Sequence, residues 1–196
     1  MLDSAQKDPG HLIYLDTDTF ALKDVSPMIA KLEQGTCFMH VKESLLSVDK
    51  APNKKLMWSQ TQNKHFGGML VNEHSAMWNA GVVAMNADSK VSLLTKALQS
   101  TDEMCEQKVE QWLIEQFSIS QALSSTGKIE VCNEWIAHYW GHKKEFIHKI
   151  DIILSTAFQK KQSLEELENQ IDVNVWTRIM IPAPKKTLFQ KLFRSK

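Results

Sequence analysis

The chain has 196 residues, 43% of them hydrophobic and 23% charged, a composition that excludes disordered, collagenous and disulfide-stapled classes and fits a soluble globular domain. Lysine plus arginine equals aspartate plus glutamate, 23 of each, so net charge gives no reason to expect a nucleic-acid partner. Cys37, Cys105 and Cys132 are odd in number and form no C-x-x-C pair, which suggests neither a disulfide framework nor a zinc knuckle and points to a reducing compartment. The N-terminus lacks the apolar core of a secretion signal, and no apolar run approaches the roughly 20 residues of a membrane span. The expected location is the cytoplasm.

In chain order, Asp8-Pro9-Gly10 is turn chemistry, and His11-Leu12-Ile13-Tyr14-Leu15 reads as a short buried strand ending at Asp16. Ser26-Pro27 opens a helix over about 27–34, with Met28, Ile29 and Leu32 on its apolar face and Gly35 as its stop. Thr36 to Val41 reads as a strand. From Lys50 to Gly68 the polar composition, Pro52, several asparagines and Gly67-Gly68 predict a long irregular segment. Asn79-Ala80-Gly81 leads into a strand, Val82-Val83-Ala84-Met85, and Asp88 or Ser89 caps a helix to about Gln99.

A further helix is expected over about Asp102 to Ser124, then short extended stretches at Ile129–Val131 and Trp135–Tyr139. Phe146, Ile150, Ile153, Leu154 and Ala157 have helical spacing, and Ser163-Leu164-Glu165-Glu166 resembles a capping box. The fold class is therefore α/β, a mixed sheet flanked by helices. A catalytic part is expected over 1–160 and a helical, basic C-terminal extension over 161–196.

Asp16-Thr17-Asp18 places two carboxylates where an apolar strand ends. Hard oxygen ligands there suit Mg²⁺ or Mn²⁺, and hence a diphosphate; the other reading is two aspartates that cap a turn. His138, Gly141 and Lys144 form H-x-x-G-x-x-K, which combines a metal ligand, a residue that lets backbone approach closely and a cation suited to phosphate. Taken singly, His138 reads as a packed, hydrogen-bonded histidine rather than a ligand, and His142 and His148 still more so. Gln116 falls among the apolar positions Val109, Trp112, Ile119 and Leu123 of one helix face. A buried amide there, beside Glu115, either bonds a neighbouring backbone or reaches into a site.

Together these segments resemble the metal-dependent glycosyltransferases of the A-type fold, especially the retaining group that includes glycogenin and bacterial galactosyltransferases. Tyr14-Leu15-Asp16-Thr17-Asp18 is similar to that family's strand-end D-x-D, and Trp78-Asn79-Ala80-Gly81-Val82-Val83 to its F-N-A/S-G-V segment. Glu115-Gln116 is similar to its helical D-Q pair, with glutamate replacing the aspartate, and His138, Gly141 and Lys144 stand at the spacing of its H-x-x-G-x-x-K. Glu145-Phe146 replaces the usual Pro-Trp after the lysine. The resemblance covers about Leu12 to Lys144. It implies a partial A-type fold, because in that family a nucleotide-binding half precedes the D-x-D strand, whereas here only about a dozen residues do; a fragment, or one part of a split or decayed enzyme, is the corresponding expectation.

The resemblance implies that Asp16, Asp18 and His138 hold a divalent cation, Mn²⁺ or Mg²⁺. Thr17, Ala80, Gly81, Gly141 and Lys144 would join the two aspartates in binding the diphosphate and sugar, while Asn79, Glu115 and Gln116 would serve the reacting centre. The implied reaction moves a sugar from a nucleotide-diphospho-sugar to an acceptor hydroxyl, glycan or lipid-linked, with retention. Two other readings stand beside it: a noncatalytic binding or scaffold domain of the same fold, and a phosphatase of the haloacid dehalogenase type with Asp16 as nucleophile. The tail after Pro184 carries Leu188, Phe189, Leu192 and Phe193 among lysines and an arginine, so residues 185–196 read either as a peripheral contact with an anionic membrane or as a terminal helix docked on its own domain or a frayed tail.

Overall fold

A computed structural model describes residues 1–110, 112–169 and 172. The basic stretch 185–196 and its expected membrane contact lie outside the described residues. The chain divides into two compact units, Met1–His138 and Tyr139–Lys196. The elements are α1 (Leu2–Lys7), β1 (Leu12–Leu15), β2 (Thr19–Ala21), α2 (Ser26–Glu33), β3 (Cys37–Met39), β4 (Lys42–Leu45), α3 (Pro52–Thr61), β5 (His65–Phe66), β6 (Met69–Leu70) and β7 (Ala76–Trp78). They continue with β8 (Val82–Met85), α4 (Lys90–Glu106), α5 (Ile114–Ser124), β9 (Ile129–Val131), β10 (Ile136–His138), α6 (Lys143–Lys160) and α7 (Leu164–Glu168). The architecture is mixed α/β, and no helix among the described residues is long and apolar enough to cross a membrane.

The first unit is organised on a mixed four-stranded sheet of order β1-β8-β3-β9, with β8 antiparallel to both β1 and β3, and β3 parallel to β9. Side chains alternate across β3 and β8, as the pleat requires. Cys37, Met39, Val83 and Met85 face Leu93, Leu94, Ala97, Ile119 and Leu123 of α4 and α5. Phe38, Val82 and Ala84 face Met28 and Leu32 of α2, with Cys132, Trp135 and Ile136. Each of the larger side chains fully buried here stabilises the fold by roughly 1.5–3 kcal/mol relative to exposure. A third cluster, with Leu46, Met57, Phe66, Met77, Met104, Val109 and Phe117, packs beside these.

Three expectations change. β1 is paired on one side only and its Ile13, Tyr14 and Leu15 are exposed, so the apolar run is an edge strand and not a buried one. The segment 50–68, expected to be irregular, holds α3 and the start of a hairpin. Pro52 supplies a preset φ at the first turn, the Asp49 carboxylate accepts the Ala51 N–H at 2.8 Å, and only Met57 and Thr61, one turn apart, are buried. So narrow a buried face leaves little periodicity to read. Gly67 and Gly68, both with positive φ, make the two-residue turn between β5 and β6.

The helix expected over 102–124 is two. α4 runs on to Glu106 and ends with Lys108 in the left-handed region (φ 54°), where Val109 N–H bonds Met104 C=O and Lys108 N–H bonds Cys105 C=O. That is a Schellman ending, closed by the apolar pair Met104 and Val109 in the third cluster. Trp112 is exposed and lies before α5, so it shares no helix face with Gln116, Ile119 and Leu123. The buried amide of α5 is Gln121, which accepts from Ser75 Oγ and donates to Ala76 C=O.

In the second unit, α6 covers the expected helical spacing, and Tyr139 stacks on the buried Phe146 with ring centroids 4.4 Å apart. The Ser163–Glu166 capping box is present at the start of α7.

Candidate metal centre

β1 ends in a tight turn. Thr19 N–H and Thr19 Oγ1 both bond the carbonyl of Asp16, at 3.2 and 2.7 Å, so Asp16 and Asp18 stand two residues apart on one bend with the exposed Thr17 between them. The Asp16 N–H bonds Gly81 C=O at 2.9 Å, tying this turn to the start of β8. β2 then leaves the turn antiparallel to β10, with Thr19 opposite His138. Three stretches far apart in sequence thus meet at one corner of the first unit.

There the side chains of Asp16, Asp18 and His138 offer ligand atoms all within 4.8 Å of one another. His138 Nε2 is 3.2 Å from Asp18 Oδ1 and 3.6 Å from Asp16 Oδ2. Neighbouring ligands around an octahedral ion bound at 2.0–2.1 Å stand about 3 Å apart, so the spacing matches what a small divalent cation needs.

The other side of the ring fixes its chemistry. Asn79 Oδ1 accepts the Gly81 N–H at 3.1 Å, which identifies that atom as the oxygen, and His138 Nδ1 lies 2.8 Å from the same Oδ1. An amide oxygen only accepts, so Nδ1 carries a proton, and in the neutral ring the Nε2 lone pair is turned toward the two carboxylates. That lone pair and the two carboxylates could together hold a cation, with Asn79 as the ring's outer partner. The residues present fit a hard divalent ion with mixed oxygen and nitrogen ligands.

Tyr14 donates to Asp16 Oδ1 at 2.6 Å; this hydrogen bond, with burial and the charges of Asp16 and Asp18, raises the phenol's pKa and keeps it a donor. His40 packs edge-on against His138, ring centroids 5.4 Å apart. Burial first, then the neighbouring His138, hold its pKa at about 4 despite a hydrogen bond to the Ile136 backbone, so it is a neutral wall at physiological pH.

Beyond Asn79 the polar chain continues. Asn79 Nδ2 and Gln116 Nε2 both donate to Glu43 Oε1, at 3.4 and 3.3 Å, and Lys54 Nζ donates to Glu43 Oε2 at 2.7 Å. Gln116 therefore finds its partner in Glu43, the carboxylate that also holds Asn79. Asn79 is buried and Ala80 half-buried against the core, whereas Glu115 is exposed. Gly141 and Lys144, both exposed, belong to the second unit, in the turn before α6 and in its first turn.

His40, Glu43 and Lys54 went unread in the sequence. None sits in a motif: Glu43 is a lone acid in a strand, and Lys54 belongs to the polar segment 50–68. Compared with protein-family models, curated proteins and solved structures, the chain matches none.

Proposed function

We propose that this chain carries the cation- and diphosphate-binding part of a metal-dependent glycosyltransferase of the A-type fold, using a nucleotide-diphospho-sugar as donor and a glycan or lipid-linked hydroxyl as acceptor. The observation that carries the reading is the Asp18–His138–Asn79 series of contacts, 3.2 and 2.8 Å long, which joins three of the four resembling motifs. The fourth, Glu115-Gln116, is attached through Glu43. A D-x-D turn serving only to cap backbone would have no need of an imidazole ordered behind it.

In this reading Asp16, Asp18 and His138 hold Mn²⁺ or Mg²⁺, which supplies positive charge for the departing diphosphate. Asp16 is oriented by Tyr14, and His138 by Asn79, so the ligands are placed before the ion arrives. Thr17, exposed on the turn, offers a hydroxyl to the phosphates. Asn79, with Ala80 and Gly81 behind it, supports the ligand histidine, leaving Glu115 and Gln116 to face the sugar and the acceptor hydroxyl. A haloacid dehalogenase-type phosphatase is less well supported, because its nucleophile would be Asp16, whose Oδ1 already accepts from Tyr14 and whose Oδ2 faces His138.

Calorimetric titration of the full chain with nucleoside diphosphates, with and without Mn²⁺, tests the proposal. Binding that requires Mn²⁺ and disappears in Asp18→Ala is expected. Diphosphate binding that ignores both would remove the metal role, and no binding of either ligand would leave a noncatalytic domain of this fold.

A further inference from the structure

β4 and β7 pair with an irregularity: Lys42 lies opposite Trp78 and Ser44 opposite Met77, so Glu43 is the extra residue of a β-bulge. A bulge re-aims a side chain, and such features concentrate beside functional sites. This one turns Glu43 to the Nδ2 end of Asn79, one residue past the end of β7. The carboxylate is itself held: Lys54 binds Glu43 at 2.7 Å and Asp49 at 3.3 Å, with side-chain exposures of 14% for Lys54, 23% for Glu43 and 12% for Asp49. Burial lowers the pKa of Lys54, but its bonds and charge interactions with Glu43 and Asp49 outweigh that and raise it, so the ammonium stays charged between them.

We infer that Glu43 is a positioning residue for His138, acting through Asn79 and steadied by Lys54; the inference rests on the cation reading of the Asp16–Asp18–His138 cluster. A carboxamide has two orientations of nearly equal shape, and only one suits this site. With Oδ1 toward Gly81 N–H and His138 Nδ1, the amide accepts from both and donates to Glu43. Reversed, it would set N–H against N–H at Gly81 and oxygen against carboxylate at Glu43. Glu43 therefore closes the second orientation from the far side. The consequence reaches the cation: His138 keeps its proton on Nδ1 and its Nε2 free to ligate. The strand bulge and α3 thereby belong to the metal centre, although neither supplies a ligand.

The test uses the full chain labelled with ¹⁵N-histidine. In the metal-free protein at pH 9, where a histidine ring is ordinarily neutral, the ¹⁵N shifts of His138 should report the Nδ1–H tautomer, opposite to the preference of free histidine. Glu43→Leu should move the ring toward a mixture of tautomers and weaken Mn²⁺ binding, followed by electron paramagnetic resonance, about tenfold. Glu43→Gln keeps a carbonyl that can accept from Asn79 and should restore most of both. Lys54→Gln, which leaves the acceptor in place but unsteadied, should shift both readouts the same way by less, and it stands in should Glu43→Leu not fold. A wild-type tautomer and wild-type Mn²⁺ affinity in Glu43→Leu, or in Lys54→Gln as its substitute, overturn the inference. If the wild type binds no Mn²⁺, the cation reading falls instead, and the tautomer shifts alone decide whether Glu43 orders His138.

Discussion

Gly81 lies so close against His138 that a Cβ on the glycine would be 2.1 Å from the imidazole Nδ1. The glycine is in ordinary backbone conformation, so what it provides is room and not rotational freedom. In the N-A-G segment it makes a slot for the ring and, through its N–H, pins the Asn79 oxygen that the ring bonds.

Gly81→Ala should therefore push His138 from its place. The methyl group cannot be accommodated by a flexible chain end, since the ring is buried and held at Nδ1 by Asn79. Overpacking of this kind costs about 1–3 kcal/mol, and displacement of a ligand should weaken Mn²⁺ at least about tenfold, the range seen for loss of an outer partner. Thermal unfolding and Mn²⁺ titration measure the two effects; a variant with both unchanged would show that the slot is not needed.

What could be read from sequence and what could not divides on physical grounds. Val82–Met85 was legible as an unbroken apolar run, which burial on both faces of the sheet explains, and α6 through the helical spacing of Phe146, Ile150, Ile153 and Ala157. Asp16, Asp18 and His138 were legible as ligand types at a strand end and in a spaced motif, and the chain does bring them within one cluster. Glu43 left no trace because its significance comes from a bulge, a property of the pairing between two strands and not of either alone. Gln116 was legible as a polar residue needing a partner, but the partner was 73 residues away, and the false face through Trp112 followed from missing the left-handed turn at Lys108.

Asp16, Asp18 and His138 offer ligand atoms to a cation in the folded chain only, because residues 16–18 and 138 meet there. Mn²⁺ should accordingly raise the unfolding temperature of the wild type. At a hundred times the dissociation constant the linkage is about 2.7 kcal/mol, or about 5–10 °C for a chain of this size. Asp18→Ala should lose the rise, while Asp88→Ala, on an exposed turn residue outside the cluster, should keep it. An equal rise in all three proteins would assign the effect to nonspecific binding.

The thiols should separate cleanly. Cys105 is exposed, whereas Cys37 and Cys132 are buried. Burial raises the pKa of Cys37 and pushes that of Cys132 up to about 12. Because the thiolate is the reactive form, the native protein at pH 8 should give one fast equivalent with Ellman's reagent, and the other two only on adding denaturant. Cys105→Ser should abolish the fast phase. Two fast equivalents in the native protein would contradict the packing of the sheet around Cys37 or Cys132.

Asp49, the second carboxylate on Lys54, supplies a dependence on pH. Burial raises its pKa, but hydrogen bonds from Ser44 Oγ and Ala51 N–H and the charge of Lys54 outweigh that, and the folded value lies below the ordinary 3.8. A depressed folded pKa means stability that is fully present above the unfolded value and is lost as pH falls through the folded one. Asp49→Asn keeps the shape and one acceptor but removes the charge, so at pH 7 it should be less stable by about 1.5–3 kcal/mol, the scale of hydrogen bonds to a charged group. Between pH 5 and pH 2, by contrast, the wild type should lose this increment and converge on the variant, since protonation does to Asp49 what the substitution does. Chemical denaturation at a series of pH values reads the difference, and a gap between the two proteins that persists unchanged to pH 2 would show that the carboxylate's charge is not what holds α3 to β4.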